Sequence, residues 1–115
     1  MRKGHIRVGD HVRVVACAKT AAQLRAALTL SPANPDLHAQ LSQALASTGQ
    51  LEPAIAERKA ALHLRADDAD GWNNLGVLEA RAGRIGQARE DFLRALQLVP
   101  NHAQARSNLQ RLPPS

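Results

Sequence analysis

Trp72-Asn73-Asn74-Leu75-Gly76 is the stretch that decides the fold, because it returns in altered form at a fixed distance on either side. Asn73-Asn74-Leu75-Gly76 has Ala39-Gln40-Leu41-Ser42 thirty-four residues upstream and Ser107-Asn108-Leu109 thirty-four residues downstream. Working outward, the same period pairs Gly49 with Gly83 and Ala54 with Ala88. It also aligns Ala27, Ala61 and Ala95, and Leu30, Leu64 and Leu98. Pro32 and Pro100 share one position, with Ala66 between them. A period of this size predicts an array of helical hairpins, since one hairpin cannot bury its apolar face alone and must stack on its neighbours.

The helix boundaries follow from local chemistry. Asn34-Pro35-Asp36 reads as an N-cap, a proline at the first helical position and an acid in the first turn, opening a helix over about 35–48. Gly49 closes it. Its partner spans about 52–65, with Pro53 tolerated in the first turn. Asp67 and Asp68 precede a helix over about 69–82, where negative charge suits the N-terminus, and Gly83 breaks it. The next helix spans about 85–98 and stops before Pro100. Asn101 is the expected cap of a last helix over about 102–111, ended by Pro113-Pro114.

The unit from Trp72 resembles the tetratricopeptide repeat, whose pattern is W-x2-L-G-x2-Y, then A-x3-F-x2-A, then P. Trp72, Leu75, Gly76, Ala88, Phe92, Ala95 and Pro100 carry the match, while Glu79 stands in the tyrosine's place. The unit 35–68 departs further, with His38 for Trp, Arg58 for Phe and Ala66 for Pro. Upstream, Leu24 to Pro32 match only the second half of a repeat, and downstream 103–112 match only the first half. The resemblance covers roughly residues 18–112. It implies an all-α, right-handed superhelical array of antiparallel hairpins. The expected layout is a basic arm over 1–17, a half repeat over 18–34, full repeats over 35–68 and 69–102, and a closing helix and tail over 103–115.

Composition agrees. The chain of 115 residues is one domain by length and is rich in helix formers. Its single cysteine, Cys17, excludes an intramolecular disulfide and a cysteine-based zinc site, and is expected to pack as a small apolar residue. No apolar stretch approaches bilayer-spanning length and no secretory leader is evident, so a cytoplasmic location without membrane contact is the default expectation. Residues 1–25 hold six basic residues against Asp10, so they carry the whole net charge of +5 and the remainder balances. That arm is expected to be a solvated leader, because no aromatic residue accompanies it to stack on bases. Ile6, Val8, Val12 and Val14 alternate with polar residues and glycine, which suggests a strand with a turn at Gly9-Asp10. A single helix from His11 to Leu30 is the rival reading.

No constellation for catalysis is present: there is no phosphate loop and no nucleophile–base set, and the chain is not expected to be an enzyme or to need a cofactor or metal. His5, His11, His38, His63 and His102 are dispersed and expected to be exposed polar residues. Asp67, Asp68 and Asp70 are accounted for by helix capping, and Trp72 by packing. What the resemblance does imply is a groove. In the family the first helix of each repeat lines the concave face, which selects Gln43, Asn73, Asn74, Val77, Arg81, Gln104, Asn108 and Arg111 as the candidate peptide-binding residues. Asn74 and Asn108 would hold a peptide backbone through paired donor and acceptor groups, and Arg81 and Arg111 would hold a carboxylate. The family's clamp for a chaperone tail's C-terminal carboxylate is not expected. It needs lysines and an arginine where Ala39, Gln104 and Asn108 stand. The expected function is a protein-interaction scaffold with a protein or peptide partner. Self-association through the half repeat near Thr20–Leu30 is one alternative. Binding of nucleic acid or an anionic surface by the arm is the other, and nucleic acid is not the expected partner.

Overall fold

The computed structural model describes residues 20–113. The basic arm, the alternating segment and Cys17 lie outside them. Six helices follow one another: α1 (Ala21–Leu30), α2 (Pro35–Ser47), α3 (Leu51–Leu64), α4 (Ala69–Arg81), α5 (Ile85–Leu98) and α6 (Ala103–Arg111). Among the described residues there is no strand. The closest pairings are the hairpins α2–α3 and α4–α5; α1 packs on α2, α3 on α4 and α5 on α6, while α4 also touches α6. This is the all-α array of stacked hairpins that the period predicts. Thr20 has extended backbone (φ −82°, ψ 165°) and a capping box with Gln23, so a continuous helix through to Leu30 is excluded at that residue.

The repeat is physical as well as textual. Leu41, Leu45, Ala54, Ile55, Leu62, Leu75 and Leu78 form one core with Leu24 of α1, each under a tenth exposed. Ala69, Ala95 and Ala105 form a smaller one toward α6. Alanine and glycine at the crossings let the helices approach closely. A Cβ on Gly76 would lie 2.5 Å from Phe92 Cε1, so the ring requires the glycine. One unit earlier the same two places hold Ser42 and Arg58, both buried.

Both full hairpins turn alike. After α2, Gly49 (φ 81°) donates its N–H to Ala46 O and Gln50 donates to Leu45 O; after α4, Gly83 (φ 84°) and Arg84 do the same to Ala80 O and Glu79 O. This is the left-handed closing turn that favours glycine. A second recurring bond ties each first helix to the loop before it. Trp72 Nε1 donates to Ala66 O at 2.8 Å, His38 Nε2 to Pro32 O at 2.7 Å and Arg106 Nη2 to Pro100 O at 3.2 Å. Three different side chains make one bond because each puts an N–H at a similar reach.

Two expectations are corrected here. The cap of α6 is His102 and not Asn101: its Nδ1 accepts from Ala105 N. His38 and His102 are also not exposed polar residues; both are partly buried and bonded, His38 to Glu57 at 2.7 Å and His102 to Asp70 at 2.7 Å. Capping accounts for the aspartates only in part, since Asp68 occupies the N-cap position of α4 without a side-chain cap bond and Asp70 bonds His102.

Candidate functional site: a groove across α2, α4 and α6

Two cavities adjoin along α4. One, of about 410 Å³, lies between α4 and α6 and is lined by Asn73, Asn74, Val77, Ala103, Gln104, Ser107, Asn108 and Arg111. The other, of about 140 Å³, lies between α2 and α4 over α3 and is lined by Ser42, Gln43, Ala46, Arg58, Asn74, Val77 and Leu78. Asn74 and Val77 belong to both, so the two form one trough. They lie three residues apart on α4, which puts them on one face of that helix.

The residues selected from sequence fall into this trough unevenly. Asn74, Val77 and Gln104 line it without a side-chain bond to other described residues, and Gln43 lines its α2 end. Asn73 is only 4% exposed, and its Oδ1 accepts from Asn108 Nδ2 at 3.0 Å. Asn108 Oδ1 accepts in turn from Arg111 Nη2 at 3.0 Å. Asn73, Asn108 and Arg111 therefore form a chain of bonds that joins α4 to α6. Arg81 is exposed and lines neither cavity.

Sequence reasoning missed Ser42 and Arg58, which help to line the smaller cavity. The available signal was their departure from the glycine and phenylalanine of the next unit. It also missed a recess of about 390 Å³ away from the trough, where Lys59, Leu62, His63, Ala66, Trp72, Leu75, Asp91 and Arg94 meet. Arg94 lies over the Trp72 ring at 4.7 Å. Beside this recess Glu79 is fully buried with neither carboxylate oxygen hydrogen-bonded, and Lys59 Nζ is 3.8 Å from it. Burial, and then the Glu79 charge, push the Asp91 carboxyl up to about 7. Among the described residues no group of histidine, cysteine or acidic side chains is arranged to hold a metal, and no helix is long and apolar enough to cross a membrane.

Comparison with known proteins agrees with this architecture. Residues 69–102 match the tetratricopeptide repeat family. A peroxisomal targeting signal receptor of Candida albicans is 36% identical over 87 residues, covering 72% of this chain and 15% of the receptor. The human protein O-mannosyl-transferase TMTC1 is 32% identical over 90 residues, covering 75% of this chain and 10% of that protein. The Hsp70-Hsp90 organizing protein of Triticum aestivum is 30% identical over 83 residues, covering 72% of this chain and 14% of that protein. The chain thus spans no more than about a sixth of the length of these relatives. Among solved structures, the first tetratricopeptide domain of Spaghetti (RPAP3), bound to the HSP90 peptide SRMEEVD, superposes with a TM-score of 0.73 at 20% identity, covering 79% of this chain and 74% of that one. MamA superposes with a TM-score of 0.74 at 19% identity, covering 77% of this chain and 49% of that one. At these identities the superpositions establish the fold alone. The chain carries a tetratricopeptide repeat and folds as a tetratricopeptide-repeat array.

Proposed function

We propose that this tetratricopeptide array is a protein-interaction module that holds an extended peptide segment of a partner in the trough across α2, α4 and α6. The observation that carries the reading is the joining of the two cavities through Asn74 and Val77. Gln43, Asn74 and Gln104 offer amide donors and acceptors along it, which suits a peptide main chain, and Val77 offers an apolar contact midway. The fold's relative RPAP3 is recorded with a peptide bound, and the organizing protein is named for two protein partners, which supports a binding role over a catalytic one. Asn73, Asn108 and Arg111 are assigned to bracing the trough.

The test is selection from a random decapeptide library on the full chain, followed by affinities for a Gln43→Ala/Asn74→Ala/Gln104→Ala variant. That variant leaves the Asn73–Asn108–Arg111 bonds in place. Selected peptides should bind it at least about tenfold more weakly, at unchanged helical content. Equal binding, or no selected peptide, would sink the groove reading.

Self-association is a second reading, favoured by one observation. Leu30 is 87% exposed, whereas its equivalents Leu64 and Leu98 are 43% and 41% exposed. No preceding helix among the described residues covers it. A sedimentation coefficient that rises with concentration would support this reading; a constant one would remove it.

A further inference from the structure

The smaller cavity of the trough has a charge beneath it. Arg58 is 4% exposed and stands where the next unit has Phe92. Its Nη2 donates to Ala39 O over a long 3.4 Å, and its Nε–H is buried without any partner. No carboxylate among the described residues makes an ion pair with it. Burial pulls its pKa down, and Asp68 counters only from a distance. A guanidinium removed from water and left without a counter-ion is strongly unfavourable, because its donors lose hydration and gain nothing in return. Gln43 and Asn74 stand beside it with further amide donors, and Ala46, Val77 and Leu78 complete an apolar wall. Ser42 is small enough to leave the space open, and its hydroxyl is committed to Ala54 O at 2.7 Å.

We propose that this cavity is a carboxylate pocket, which takes an aspartate or glutamate side chain of the peptide lying in the trough. The proposal rests on the groove reading and names the chemistry of its ligand. An acidic side chain matches each feature: a carboxylate accepts from the free Nε–H and from an amide, its methylene groups lie on Ala46 and Val77, and its charge answers the unpaired cation. A side chain is assigned in preference to a chain terminus because the trough continues past Asn74 and Val77 into the larger cavity. The main chain then runs across the mouth of the pocket. The positive group comes from α3, the second helix of its hairpin, through a gap that Phe92 fills in the next unit.

The pocket is tested on the full chain by following the Arg58 Nε–H signal in nuclear magnetic resonance titrations with three probes. N-acetyl-glutamate N-methylamide carries only a side-chain carboxylate, its glutamine analogue carries none, and N-acetyl-alanine carries only a terminal one. A saturable shift with the glutamate probe, smaller with N-acetyl-alanine and absent with the glutamine probe, is expected. Equal responses to glutamate and glutamine, or no response to either, overturn the pocket; a stronger response to N-acetyl-alanine overturns the side-chain assignment. A Ser42→Gly/Arg58→Phe variant installs the pair that the next unit already uses, so it keeps the packing, and its Asn74 amide should not respond to the glutamate probe. Peptides selected on the wild type should carry one acid whose replacement by glutamine weakens binding by about tenfold or more, and by less than about twofold on the double variant. Selected peptides that show no acid dependence overturn this inference and leave the groove reading standing. Failure to select any peptide strikes the groove reading, while the titration still decides the pocket.

Discussion

Gly76 and Gly86 separate two uses of one residue type. Phe92 lies where a Gly76 Cβ would go, whereas nothing lies within 4 Å of a Cβ on Gly86. Gly76→Ala should therefore cost about 1–3 kcal/mol by overpacking, and Gly86→Ala should be neutral or stabilising by up to about 1 kcal/mol in urea denaturation. Titration behaviour also belongs to this scale. Burial lowers the His38 pKa, but the hydrogen bonds to Glu57 and the Pro32 carbonyl outweigh it, and the net shift is upward from 6.5. Asp91 moves from 3.8 to about 7. Both folded-state pKa values lie above the unfolded ones, so both groups hold protons on folding that the unfolded chain has released. Their contributions are present at low pH and are lost as pH rises, through about 7 for Asp91 and above 6.5 for His38. Stability should fall as pH rises through this range, and Asp91→Asn and His38→Trp should each flatten the profile. The tryptophan retains the bond to position 32 that Trp72 makes to Ala66. None of this was legible in the sequence, where His38 read as a polar substitute and nothing set Asp91 apart. Only the packing of α2 on α3, and of α3, α4 and α5 together, reveals what surrounds them.

At the scale of the element, the two positive-φ glycines close α2 and α4 with paired bonds back into the last turn. A side chain at Gly49 or Gly83 would meet open space, so the cost of substitution is backbone strain alone. Gly49→Ala and Gly83→Ala should each destabilise by about 1–2 kcal/mol and by similar amounts, measured by thermal or urea unfolding. Unequal losses would mean that the two turns are not equivalent. These boundaries were legible because turns and caps depend on a few adjacent residues. The cap of α6 was not. Histidine is an uncommon N-cap, and His102 takes the role while Asp70, from the preceding first helix, holds its other nitrogen.

At the scale of the whole molecule, each helix packs mainly on its sequence neighbours, so stability is distributed along the array as local and nearest-neighbour terms. The central helices α3, α4 and α5 have neighbours on both sides, while among the described residues α1 and α6 each pack at one end. Amide hydrogen exchange should be slowest in α3–α5 and faster in α1 and α6, which uniform protection would contradict. The two ends also differ. Gln110 of α6, exposed, occupies the place that Ser42 and Gly76 hold in the two full units. At the other end Leu30 stands open.

Among the described residues, the sequence alone determined the number and type of elements, their order and most of their ends. A period of thirty-four residues, helix-spaced apolar positions and turn glycines are local facts that survive without coordinates. The resemblance also selected Gln43, Asn74, Val77 and Gln104, which the fold brings to one trough. Tertiary structure alone decided that Asn73, Asn108 and Arg111 bond to one another, that Arg81 stands aside, and that Arg58 and Ser42 border the trough. Most of those outcomes depend on how one helix approaches another, and the distance between two side chains across such a contact is not encoded in the spacing of either one.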